Sequence, residues 1–187
     1  MSNRPTIYTV GDSHAWHAWL KVPDVITGTV GPMLMYSFGC DKSILTNFIP
    51  LDAILCFCWG EIDCRCHVHK YQPWQQTIDS LVKKYLEVVD LNVVGRDPKL
   101  VWIYNVVPPV YNAIESPTFP FLGTIEERVR YVKYMNNKLR GTKYTFVDIY
   151  DACSTSGGFM KPEDSDGHVH LENEKYINEW IENNVVS

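Results

Sequence analysis

Short apolar runs alternate along this chain with longer segments of helical period. The runs that predict strands are Thr6–Val10, Asp24–Thr29, Ala53–Trp59, Leu100–Val107 and Tyr144–Asp148. Within Ala53-Ile54-Leu55-Cys56-Phe57-Cys58-Trp59 and Leu100-Val101-Trp102-Ile103-Tyr104-Asn105-Val106-Val107 almost every position is apolar. That suits parallel strands covered on both faces better than half-exposed antiparallel ones. Between them, Pro73 to about Asp90 places Trp74, Ile78, Leu81, Val82, Tyr85, Leu86 and Val89 at helical spacing. A second helix is predicted over Thr124 to Leu139, opened by the capping-box pattern Thr124-Ile125-Glu126-Glu127 and stopped by Gly141. A third runs from about Glu172 to Asn184, with Tyr176, Ile177, Trp180 and Ile181 turned inward. Strands alternating with helices predict one α/β domain over residues 1–187. Its architecture is a three-layer α/β/α sandwich around a parallel, flavodoxin-like five-stranded sheet.

The composition is that of an ordinary globular chain, 45% hydrophobic and 21% charged, with a net charge of −5. The absence of a lysine/arginine stripe argues against nucleic-acid binding. No apolar run approaches a membrane span, and Met1-Ser2-Asn3-Arg4-Pro5 lacks the apolar stretch of a signal peptide. A cytoplasmic protein, or one of viral origin, is expected, with its six cysteines as thiols. The oligomeric state is left open. Of the many aromatic side chains most belong in the core, while Trp16, Trp19, Trp59 and Tyr111 fall near the rim described next and could line a groove.

In a parallel α/β sheet, function gathers at the carboxyl ends of the strands. Here Ser13 follows the first strand within Gly11-Asp12-Ser13-His14, and Gly31 follows the second. Gly60-Glu61-Ile62-Asp63 follows the third, Pro108-Pro109 the fourth, and Asp166-Gly167-His168-Val169-His170 comes after the fifth. Every unusual polar cluster therefore falls on one rim, which random placement of turn residues would not favour. A serine at a glycine-sharpened turn, with an Asp/His pair elsewhere on the same rim, supplies a nucleophile, a base and an orienter. The competing reading makes Ser13 a simple helix cap.

These blocks resemble those of the SGNH hydrolase (GDSL-like esterase) superfamily over nearly the whole chain. Gly11-Asp12-Ser13 matches its first block, Gly31 or Gly39 its second, Gly60-Glu61-Ile62-Asp63 its third, and the Asp166 to His170 region its last. The run Phe57 to His69 is similar to a subgroup associated with polysaccharide gene clusters. The resemblance implies acyl transfer from an O-acylated carbohydrate or other small ester, with no cofactor. Ser13 is then the nucleophile, His170 the base and Asp166 its orienter. Gly31, Asp63 and Arg65 are the expected oxyanion and substrate contacts.

Two departures stand out. Ile62 replaces the asparagine that donates to the oxyanion in the family, a loss of roughly 3 kcal/mol unless another donor such as Arg65 serves. The spacing from Asp166 to His170 is one residue longer than usual, which leaves His168 as a rival base and Asp164 as a rival orienter. Glu61 and Asp63 could simply close their loop, with Asp63 paired to Arg65 or another base. Transfer to a sugar hydroxyl, making the protein an O-acyltransferase, or carbohydrate binding without turnover, remain alternatives to hydrolysis. The run Cys56-x-Cys58-x5-Cys64-x-Cys66-His67-x-His69 has zinc-type ligands, but its spacing is wrong for a zinc knuckle and Cys56 and Cys58 lie within a strand.

Overall fold

The computed structural model describes residues 5–185. Its five strands are β1 (Ile7–Gly11), β2 (Val25–Thr29), β3 (Ile54–Cys58), β4 (Val101–Tyr104) and β5 (Thr145–Val147). All pair in parallel, in the order β2-β1-β3-β4-β5. That is the flavodoxin-like order expected from the alternation of elements. β3 and β4 are buried along their whole length, as their apolar runs require, whereas the edge strand β2 is half-exposed. Asn105, Val106 and Val107 continue the β4 run beyond the last ladder pair yet stay buried.

Among the described residues six α-helices complete the layers: α1 (Met35–Asp41), α2 (Glu61–Cys66), α3 (Trp74–Asn92), α4 (Ile125–Arg140), α5 (Tyr150–Cys153) and α6 (Lys175–Val185). One core joins Val10, Leu55, Phe57 and Ile103 to Phe38 of α1, Cys64 of α2, Tyr85 of α3 and Met135 of α4. The opposite core joins Ile7, Cys56, Trp102 and Tyr104 to Trp19, Cys153 of α5 and Ile177 of α6. Side chains alternate along β1, β3 and β4 between these two cores, which is the period-2 rule at work.

The capping box at α4 is formed in both directions. Glu127 N donates to Thr124 Oγ1 at 3.2 Å and Thr124 N donates to Glu127 Oε2 at 2.8 Å. Two of the aromatic side chains expected near the groove are core instead. Trp19 packs edge-on against Tyr104, and Trp59 stacks on Phe38 at 4.3 Å. Trp16 and Tyr111 are exposed.

Candidate active site

β1 ends at Gly11, where the neighbouring strand comes so near that a Cβ would sit 2.0 Å from the Cys58 carbonyl oxygen. Only glycine lets the chain turn there. Asp12 then caps the single 3-10 turn Ser13–Ala15, its Oδ1 accepting from His14 N at 2.9 Å. The turn carries Ser13 onto the carboxyl rim. From the far end of the chain the segment before α6 arrives as a tight loop, closed by pairing between Ser165 and Leu171.

Ser13 Oγ lies 2.9 Å from His170 Nε2, and His170 Nδ1 lies 2.6 Å from Asp166 Oδ2. Asp166 Oδ1 also accepts from the backbone N–H groups of His168 and His170, at 2.8 and 3.1 Å. Burial works against the Asp166 charge, but the bonds from His170 and the two amides hold its carboxyl below the usual range. For His170, burial and then the nearby His14 outweigh the pull of Asp166, so its pKa falls to about 4. The imidazole is therefore neutral at pH 7, with Nδ1–H facing the carboxylate and Nε2 free to accept the serine proton.

The rivals take other places. His168 is exposed, and only its backbone N–H reaches Asp166. Asp164 is buried and accepts from Asn173 Nδ2 at 2.7 Å and Tyr176 hydroxyl at 2.6 Å, so it anchors α6.

In sequence the chain matches no protein-family model and no curated protein. In structure it is similar to a GDSL-like lipase from Bacteroides thetaiotaomicron VPI-5482, with a TM-score of 0.60 and 15% identity over 95% of this chain and 86% of that one. It is similar to the native aryl esterase of M. smegmatis, with a TM-score of 0.61 and 17% identity over 96% of this chain and 97% of that one. A carbohydrate acetylesterase family member from Sinorhizobium meliloti superposes with a TM-score of 0.57 and 17% identity, over 96% of each chain. The chain has the SGNH (GDSL-like) hydrolase fold.

On this SGNH frame the oxyanion side differs from the sequence-based expectation. Ser13 N has no protein acceptor among the described residues and is available as a donor. Gly31, at φ +85°, donates its N–H to Thr29 Oγ1 at 3.1 Å, so that amide is already engaged. Gly39, the alternative, lies inside α1 against Lys84 and Tyr85 of α3, where an added Cβ would be crowded at 3.1 Å from Lys84 Cβ. Asp63 is a correction. Its carboxylate is fully buried and accepts from Met35 N at 2.6 Å and Tyr36 N at 3.2 Å, at the start of α1. It secures orphan helix donors and is spent before any substrate arrives.

Arg65 pairs with Glu61 instead of Asp63. Its Nε donates to Glu61 Oε1 at 2.8 Å, one terminal nitrogen to Glu61 Oε2 at 3.1 Å, and the other to the Phe119 carbonyl at 2.5 Å. These bonds leave part of the five-donor guanidinium without a protein acceptor. Arg65, Ile62 and Ser13 share the lining of a cavity of about 230 Å³ with Pro32, Ile114, Phe119 and His170. The loop after β4 therefore walls the site. It is held there by the Phe119 bond, by Leu122 N to Arg65 O at 2.9 Å and by Ile114 N to Gly167 O at 3.1 Å.

Behind the serine lies a buried charge chain that the motif blocks do not reveal. His14 Nε2 is 3.7 Å from Glu61 Oε2. Burial disfavours charge on His14, yet Glu61 and Asp12 hold its pKa above the ordinary value. Burial likewise opposes the Glu61 charge, and His14 and Arg65 outweigh it, so that carboxyl stays low. Asp12 is pushed up to about 6 by burial. His17, one turn beyond His14, bonds through Nδ1 to Glu172 Oε1 at 2.5 Å and faces the His170 ring. The sequence signal for both was the spacing of two histidines three apart directly after the serine.

The Cys/His run is dispersed. Cys64 Sγ lies against Met135 Sδ at 3.8 Å, Cys66 Sγ donates to Ile62 O at 3.1 Å, His67 stacks on Tyr36, and His69 meets the Tyr131 hydroxyl at 3.3 Å. Among the described residues, the only His, Cys, Asp or Glu side chains gathered closely enough for a metal are His17, Asp166 and His170. Two of those three belong to the relay. No helix among these residues is long and apolar enough to cross a membrane.

Proposed function

We propose that this protein is a serine esterase that works through an acyl-enzyme on an O-acylated carbohydrate or another small ester. The observation that carries this reading is the unbroken line Asp166–His170–Ser13, at 2.6 and 2.9 Å, opening into a cavity of about 230 Å³. The fold it shares with lipases and esterases supports the same class. Ser13 Oγ attacks the ester carbonyl while its proton passes to His170 Nε2, and Asp166 stabilises the imidazolium that forms. The carbonyl oxygen becomes an oxyanion within reach of the Ser13 amide and the unspent Arg65 donors. Collapse of the tetrahedral species breaks the ester C–O bond, and His170 returns the proton to the departing alkoxide. Water then repeats the sequence on the acyl-serine, losing a proton to His170 and releasing the acid.

Labelling with a fluorophosphonate serine probe, followed by peptide mapping, tests this reading. A single adduct on Ser13 that disappears in the His170→Ala variant is expected. Hydrolysis of p-nitrophenyl acetate is expected to fall by at least about a thousandfold in Ser13→Ala, with the fold intact. No adduct on folded protein would overturn the esterase reading in favour of binding alone.

A further inference from the structure

A second concavity lies outside the relay. A groove of about 430 Å³ runs between α1, the end of α2 and the start of α3, floored by Tyr36, His67 and Tyr71 and edged by Gln76, Ser80 and Lys84. The His67 ring stacks on Tyr36 and is tilted against Tyr71, with centroids 5.0 Å apart in each case. Tyr36 and Tyr71 are 42% and 51% exposed, so large aromatic faces stand open to solvent where a core would hide them. Lys84 Nζ lies 5.6 Å from the centre of the Tyr36 ring. Burial, then Lys70, keeps the His67 pKa below the ordinary value, which leaves a flat neutral ring in the middle of the floor.

Two pieces of backbone run from the lining of the catalytic cavity to that of the groove. Pro32 and Ile62 line the cavity, and Tyr36 and His67, which follow them closely in the chain, line the groove. A molecule reacting at Ser13 that is longer than a simple ester has this path to follow. Aromatic faces interspersed with amide and hydroxyl groups match the two sides of a pyranose ring, whose C–H face packs on an aromatic surface while its hydroxyls take hydrogen bonds. A peptide strand would look for an open sheet edge, and these elements are helices.

We propose that the Tyr36–His67–Tyr71 groove is a subsite for a neutral oligosaccharide chain, holding the sugar units next to the one whose ester lies at Ser13. This rests on the esterase reading, so the test separates the two. Saturation-transfer NMR on the full chain uses unacetylated xylotetraose, cellotetraose, mannotetraose and chitotetraose as probes. At least one is expected to bind, with the affinity lowered tenfold or more in Tyr71→Ala, restored in Tyr71→Phe and unchanged in Ser13→Ala. Turnover of p-nitrophenyl acetate is expected to be equal in wild type and Tyr71→Ala, while kcat/KM for the acetylated form of the bound tetraose falls at least tenfold. Absence of binding by all four tetraoses, or binding indifferent to both Tyr71→Ala and Tyr36→Ala, overturns the subsite. Loss of p-nitrophenyl acetate turnover in wild type would overturn the esterase reading alone, and the binding arm would still decide the groove.

Discussion

The His17 imidazole lies flat against that of His170, with centroids 3.7 Å apart and planes within 7° of parallel. Each ring is bonded through Nδ1 to its own carboxylate, Glu172 for His17 and Asp166 for His170. The second pair fixes the plane in which the base must lie. A positive charge on His17 also disfavours one on His170, after burial and His14.

His17→Phe keeps a flat ring in the stack and removes its charge. The acid limb of the kcat/KM profile, expected near the folded His170 pKa of about 4 in wild type, moves to higher pH. Activity rises with pH through this limb, because the deprotonated imidazole is the working form. A limb unchanged in position would separate the stacked ring from the tuning of the base.

Ile62→Asn returns an amide donor to the cavity wall. A single such donor is worth about a hundredfold to a thousandfold in comparable sites, so a rise in kcat of about tenfold or more is expected, with KM little changed. Ile62 is 2% exposed, and the polar replacement lowers the melting temperature at the same time. Steady-state kinetics and a thermal melt on one sample check both signs.

Asp63→Asn tests the buried bonds of Asp63 to the start of α1. Burial, against the two amide bonds, pushes the Asp63 pKa up to about 7, above its unfolded value of 3.8. The folded state then holds the proton more tightly, so this group makes wild type progressively less stable as pH rises from about 4 to 7. Asparagine has no proton to lose. The stability of the variant relative to wild type therefore improves between pH 5 and pH 7 in urea melts. A difference independent of pH would show that Asp63 is already ionised at pH 5.

Asp164→Ala distinguishes an anchor from an orienter. It strips buried partners from Asn173 and Tyr176 and is expected to cost about 1–3 kcal/mol in stability. The acid limb of the activity profile stays in place, and kcat stays within a few-fold of wild type at temperatures where the variant is folded. A displaced limb would put Asp164 in the relay.

The parallel α/β/α fold was legible because its strands and helices depend on local sequence. β3 and β4 announce themselves as apolar runs, and Ser13 stands at the turn just beyond β1, whereas His170 lies well beyond β5, past α5. What was not legible depends on who the neighbours are. Asp63 looked like a rim acid, but its partners are the amides of Met35 and Tyr36 in α1, a seven-residue helix too short to show a period. The Gly31 amide looked free until Thr29, two residues back, turned its hydroxyl onto it. Arg65 and Glu61 sit four apart in α2, a pairing that spacing alone would have suggested once the helix was recognised.

Ser13 and His170 are 157 positions apart in sequence. The base reaches the serine only when the segment ahead of α6 is docked, and that segment hangs on Asp164 and Asp166 as well as on the last helix. Partial opening of a chain's end takes less free energy than melting its central sheet. The proposed esterase activity is therefore expected to be lost before the fold. In mild denaturant it should vanish at a concentration where circular dichroism still records an intact fold.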